Sequence, residues 1–142
     1  MKLSAKTEYA CIAVMELAGA YGSAEPVRIG AIAEKHGIPA RFLVQILLQL
    51  KGAGLVSSTR GASGGYQLIK PPEEVSLGAV MNVIDGPEDG PASSAAPESL
   101  AARVLQDAWR EVLQVEREML DSLSFADLLD RAKEPAEGMY HI

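Results

Sequence analysis

Cysteine is almost missing from this chain. Cys11 stands alone among 142 residues, so no internal disulfide can form, and a soluble protein of the reducing cytoplasm is expected. Histidine is nearly as scarce: His36 and His141 are isolated from each other and from any cysteine, so neither a metal site nor a cofactor is expected. No run approaches the roughly 18 consecutive apolar residues of a membrane-crossing helix. The opening "MKLSAKTEYACIAVMELAGAYG" carries Glu8 and Glu16, which an apolar signal-peptide core would not. A nucleophile–base pair and a pair of catalytic carboxylates are also lacking, so an enzyme is not expected.

What is present is enough apolar material for a core, 48% of the residues, in a length that suits one domain plus an oligomerisation element. The net charge of −6 counts against an anionic partner when taken whole. By halves it does not. Residues 1–72 hold 8 basic and 4 acidic side chains, a balance of +4, whereas residues 73–142 hold 5 and 15, a balance of −10. One half can therefore meet a polyanion while the other stays away from it, although an acidic solvated helix face would produce the same count.

Ser4 is a candidate cap for a first helix in which Ala10, Ala13, Val14, Leu17 and Ala18 recur at helical spacing. A short second helix carries Ile29, Ile32 and Ala33 on one face and stops at Gly37. A third starts around Pro39, which suits a first helical turn, and buries Leu43, Ile46, Leu47 and Leu50. Helix, tight glycine turn, helix is the helix-turn-helix spacing. It turns Arg41, Val44 and Gln45 outward, and arginine and glutamine are the side chains that pair bidentately with guanine and adenine edges. A plain αα-hairpin with polar surface residues would read the same way, and that reading holds until the next stretch is added.

The next stretch is "LVSSTRGASGGYQLI". Two short alternating segments flank "RGASGG", which predicts a hairpin whose glycines allow positive φ and close approach to another backbone. A helix-turn-helix followed by such a hairpin is a winged helix, with Arg60 at the base of the wing. A phosphate loop of nucleotide-binding type is excluded, because no Lys-Ser or Lys-Thr follows the glycines and a strand stands where a helix should begin.

Together "MKLSAKTEYA", "GLVSSTRGASGGYQL" and "SLGAVMNVIDG" resemble the IscR/NsrR/CymR-type family of bacterial winged-helix transcriptional regulators. The resemblance runs from Met1 to about Gly86 and resumes weakly over "DAWREVLQVEREMLDSLSFADLL". It implies a cytoplasmic homodimer on a palindromic DNA operator, with recognition helices in major grooves and wings in adjacent minor grooves. It carries DNA contact onto Arg60, Ser63, Gly64 and Gly65 in the wing, onto Gln45, and onto Lys2 and Ser4 near the backbone. Arg41 and Phe42 fall where the family varies and would set which operator is read. Val44 stands where some cluster-binding relatives have an acidic residue, which puts an identical target in doubt.

Many members hold an iron–sulfur cluster between the winged domain and a long helix. The matching stretch here, "GPEDGPASSAAPESLAARVLQDAWR", contains no cysteine and no histidine. Arg103 and Gln106 stand where the resemblance would place the last cysteine and a nearby histidine, and neither can replace a thiolate. A member without its own cluster is expected. Cys11 reads as a packed small hydrophobe, His36 as a partner for helix-end carbonyls, and His141 as part of a mobile terminus.

Residues 1–85 are thus read as the winged helix-turn-helix domain and 86–98 as a linker or degenerate sensor loop. An effector, small molecule or protein, that orders the loop on binding is the open alternative. Residues 99–142 are read as a dimerisation helix plus a short last helix, "SFADLLDRA", covering the seam's end. Ala101, Leu105, Ala108, Val112, Val115 and Met119 follow the 4-3 spacing of a coiled-coil seam, though a helix packed within its own monomer can show it too. The expected fold is mainly α with one small β-hairpin. The expected function is a sequence-specific dimeric regulator, a repressor, with a winged-helix protein–protein interaction module as the alternative.

Overall fold

Four of the helices begin on a serine. In the computed structural model, which describes residues 3–86 and 92–133, the hydroxyl oxygens of Ser4, Ser76, Ser99 and Ser124 each accept from a backbone N–H in the first turn of the helix that follows. These helices are α1 (Ala5–Gly19), α4 (Leu77–Asp85), α5 (Leu100–Ser122) and α6 (Phe125–Ala132). Each serine satisfies a donor that the helix itself leaves without a partner. Between α1 and α4 come α2 (Ile29–His36), α3 (Ala40–Gly52), β1 (Val56–Thr59) and β2 (Gly65–Leu68), then a single 3-10 turn over Pro72–Glu74. This is a winged helix-turn-helix followed by a long C-terminal helix.

The core forms where α1 crosses α3. Ala10, Ala13, Val14, Leu17 and Ala18 bury one face of α1 against Leu43, Ile46, Leu47 and Leu50, the stripe expected of α3. Three alanines on that face let the helix axes come close, since little side chain stands between them. Val56 and Leu68 close the core from the wing side, and Val80 and Ile84 close it from α4.

Two departures from the sequence reading concern what joins this core from far along the chain. Val27, to which the sequence reading assigned no element, pairs with Tyr66 as a one-residue third strand, with mutual N–H to carbonyl bonds of 2.9 and 2.8 Å. The last helix, α6, expected at the end of the seam, packs on the winged domain. Phe125 is fully buried in the winged domain's core, and the segment before α6 lies against the 3-10 turn, where Phe125 N–H donates to the Val75 carbonyl and Leu77 N–H to that of Leu123. A reciprocal capping box between Ser124 and Asp127 starts α6 at that point.

The long helix α5 has no fully buried residue. Its C-terminal third rests on the body, with Leu113, Glu116 and Leu120 half-buried and Asp121 against Gly78 of α4. Gly78 is buried there, and a side chain would run into Asp121, its first carbon 3.2 Å from the Asp121 amide nitrogen. The rest of α5 stands away from the body. Among the described residues no helix is long and apolar enough to cross a membrane.

Candidate nucleic-acid interface

The turn between α2 and α3 is three residues long. Gly37 ends α2 at φ 65°, a left-handed conformation that side chains resist, and buried Ile38 anchors the turn to the core. Pro39 sits one position before the helix, as its N-cap. Burial of the Leu43, Ile46, Leu47 and Leu50 stripe then fixes which side of α3 faces out: Arg41, Phe42, Val44, Gln45 and Leu48 are all exposed. The Phe42 ring is tilted against Tyr9 of α1 at 6.0 Å between centroids, and the Arg41 guanidinium carbon lies 5.1 Å from the Phe42 ring centre. That contact holds a cation at the start of α3 against an aromatic face.

The wing is built by backbone crowding. Its loop runs from Arg60 to Gly64, with Gly61 at φ 103° and the Gly64 N–H bonded to the Gly61 carbonyl at 3.0 Å. A side chain at Gly64 would collide with the Thr59 carbonyl oxygen, and one at Gly65 would lie 2.3 Å from the Val27 carbonyl oxygen. These two glycines therefore shape the wing. Gly64 is itself buried and its amide is used, so of the expected wing contacts it is the one with neither surface nor donor to offer a phosphate. Arg60 and Ser63 are exposed, and Gly65 is partly so.

Two cations that sequence reasoning passed over join Arg60. Arg28, just before α2, and Lys51, near the end of α3, line with it one open cleft of about 530 Å³ beneath the wing. Lys51 Nζ donates to Ser58 Oγ at 2.7 Å, tying the end of α3 to β1. Arg28 comes there because the Val27–Tyr66 pairing lays its backbone beside the wing, a long-range contact with no local sequence signal.

The remaining sequence-derived site residues separate clearly. Ser4 spends its hydroxyl on the helix cap: its oxygen accepts from Thr7 N–H at 3.1 Å and its proton goes to Thr7 Oγ1 at 2.9 Å. The Thr7 hydroxyl in turn donates to Asp85. The Ser4 hydroxyl is therefore engaged within the helix cap, while Ser4 itself is exposed. Lys2 and His141 lie outside the described residues. His36 does not meet helix-end carbonyls. Its Nε2 lies 2.7 Å from Glu16 Oε1, which also receives Lys35 Nζ at 2.8 Å, so α2 is pinned to α1. Burial pushes the Glu16 carboxyl up, but hydrogen bonds and charge from Lys35 and His36 outweigh it and hold it below the usual carboxylate value.

The profile of the Rrf2 family, described as an iron-dependent transcriptional regulator, matches residues 3–131. The chain belongs to the Rrf2 family. It is 34% identical over 128 residues to the HTH-type transcriptional regulator CymR of Bacillus subtilis, covering 90% of this chain and 89% of CymR. It is 30% identical over 131 residues to IscR of Aliivibrio salmonicida, covering 91% of this chain and 77% of that protein. The solved structure of B. subtilis CymR superposes with a TM-score of 0.79 at 33% identity, over 92% of this chain and 98% of that one. T. potens IscR gives 0.77 at 34% identity, over 94% and 90%. This Rrf2 protein is accordingly a DNA-binding transcriptional regulator of winged-helix fold and not an enzyme.

The family's iron dependence does not fit the donor set of this member. Among the described residues no three His, Cys, Asp or Glu side chains are grouped as metal ligands. The only thiol, Cys11, lies half-buried on α1, where burial, helped by Asp85, pushes its pKa up to about 11. A thiol so reluctant to ionise is a poor iron ligand. No step is assigned to iron.

Proposed function

We propose that this Rrf2 protein is a sequence-specific homodimer that represses by occupying a palindromic operator, without a cluster of its own. The observation that carries the reading is the cleft in which Arg28, Lys51 and Arg60 converge beneath the wing, in the half of the chain with a positive balance. Three cations around a phosphate path supply sequence-independent affinity through counterion release. Arg41, Phe42 and Gln45 on the outer face of α3 supply base readout, with Phe42 and Val44 suited to thymine methyls. Ser63 and Gly65 flank Arg60 where the wing would enter a minor groove. The segment 1–85 is the reading head, 86–98 the connection, and 99–142 the assembly element.

Dimerisation is supported by the outer face of α5. Leu100, Val104, Leu105, Trp109, Val112, Val115 and Met119 remain 49–67% exposed on a helix that stands off the body. Covering each is worth on the order of 1 kcal/mol, so seven on each of two helices are comparable to an association cost of ~4–15 kcal/mol. Repression is the mode that asks nothing of the protein beyond occupying DNA.

The test is a gel-shift series over ionic strength with wild type and Arg60→Ala. Affinity should fall steeply with salt, and Arg60→Ala should weaken binding while leaving the assembly unchanged. No duplex bound even at low salt would end this reading. One observation favours a second one: Phe42, Val44 and Leu48 leave an apolar strip exposed on α3, which suits a protein groove as well as a base edge. Retention of a protein partner by a chain that retains no DNA would select it.

A further inference from the structure

We propose that Val44 and Leu48 of α3 are specificity determinants that read thymine methyl groups in the major groove. This rests on α3 being the DNA-reading helix and names what the apolar residues of that helix select. Helical spacing sets Leu48 opposite the buried stripe of α3, on the same side as Arg41 and Gln45. It is 55% exposed, more than Phe42 or Val44, so neither its own helix nor the body covers it. Val44 lies one turn before it, also exposed.

The composition of the outer face says what fits there. No carboxylate lies on α3, and its exposed polar side chains are Arg41, Gln45, Gln49 and Lys51. The apolar pair therefore sits between one cation near the start of the helix and another near its end. Lys51 also joins the helix to the cleft that holds Arg28 and Arg60. A surface with a cationic rim and an apolar centre matches a duplex, which carries phosphates along its groove edges and thymine methyls on the groove floor. A protein groove covering the same strip would leave those cations unmatched unless it brought a run of carboxylates as well.

Val44 and Leu48 can neither donate nor accept a hydrogen bond. The feature they discriminate is the methyl at C5 of thymine, which cytosine lacks. Burying that methyl against a branched side chain is favourable. The exposed amides of Gln45 and Gln49 suit adenine, so the polar neighbours favour the same base pair. Four residues of helix advance about 6 Å, which spans roughly two base-pair steps of ~3.4 Å. Each half-site should thus place two thymine methyls about that far apart beneath α3.

The test uses the intact protein and duplex enriched on it from a random-sequence pool. The enriched duplex is remade with single thymines replaced by uracil, which removes only the methyl. Replacement at either of two positions in a half-site should weaken binding about fourfold, the worth of one buried methyl. Leu48→Ala should lose one of these penalties and Val44→Ala the other, and both should melt like wild type because both positions are exposed. A residue that merely supported the helix would not move the uracil penalty. Equal affinity for thymine and uracil duplexes at every position overturns the proposal while leaving DNA binding by α3 standing. So does a uracil penalty that persists in both variants. Unchanged duplex affinity in both variants overturns it too, and makes a protein partner the occupant of the strip. A wild-type chain that binds no duplex overturns the DNA reading of α3 along with it.

Discussion

Gly65 is where a single carbon should undo the wing. The Cβ of Gly65→Ala would sit 2.3 Å from the Val27 carbonyl oxygen and 2.6 Å from its carbon. Both are backbone atoms, so neither can swing aside. The strands must separate, and the two Val27–Tyr66 hydrogen bonds go with them. At ~0.5–1.5 kcal/mol each, that is a loss of about 1–3 kcal/mol. The reduced freedom of the unfolded chain returns about 0.4–1 kcal/mol. At mid-range a net destabilisation of about 1.3 kcal/mol remains, which lowers the melting temperature by roughly 3–5 °C for a domain of this size. Gly30→Ala should do the opposite. It lies in α2 with nothing within 4 Å of the added carbon, so helix propensity alone acts and should raise stability by about 0.5–1 kcal/mol. Thermal melts followed by circular dichroism read both signs. A Gly65→Ala protein as stable as wild type within about 0.5 kcal/mol would refute the pairing between wing and Val27.

Leu105→Asp changes a side chain that is 67% exposed in the isolated chain, so folding should be nearly unaffected. If α5 is the assembly seam, sedimentation should show monomer where wild type shows dimer; a dimer that persists removes α5 from that role. Phe125→Ala empties a fully buried position and should cost about 3–5 kcal/mol in urea unfolding. A loss below about 1 kcal/mol would mean that α6 does not dock on the core. Glu16→Gln tests the tether between α1 and α2. Because the folded Glu16 carboxyl titrates below its usual value, its contribution is present at neutral pH and is lost as pH falls through the folded pKa. Lys35 and His36 are partly solvated, so the stability gap to Glu16→Gln should be about 1 kcal/mol or less. It should close as the pH falls through that lowered pKa, below the usual carboxylate range, and a gap that widened in acid would contradict the assigned sign.

What the residues disclosed in advance was whatever local periodicity controls. The α3 stripe and its outward Arg41 and Gln45 follow from helical spacing, and the glycine cluster after Arg60 announced both a hairpin and a close backbone neighbour. The identity of that neighbour was hidden. Val27 forms one isolated pair with a residue 39 positions away, and a single pair leaves no alternating pattern to read. Arg28 and Lys51 stayed hidden for the same reason, because only the folded chain brings them beneath the wing. Phe125 was legible as an apolar residue on a short helix, but not as part of the core of residues 3–86. Ser4 and Gly64 show the converse. The family resemblance implied DNA contacts there, whereas the Ser4 hydroxyl and the Gly64 amide are already engaged within the fold.

If α5 pairs as proposed, two winged heads carried on it should select duplexes in which the same short sequence appears twice in inverted orientation. Enrichment of bound duplexes from a random-sequence pool, with the intact protein at low and at moderate salt, reads this in one experiment. The expected product is an inverted repeat whose half-sites lie about 34–36 Å apart, or a multiple of that spacing, and which Arg60→Ala fails to enrich. A pool that stays random at every salt concentration, or one that converges on a solitary half-site, would contradict it.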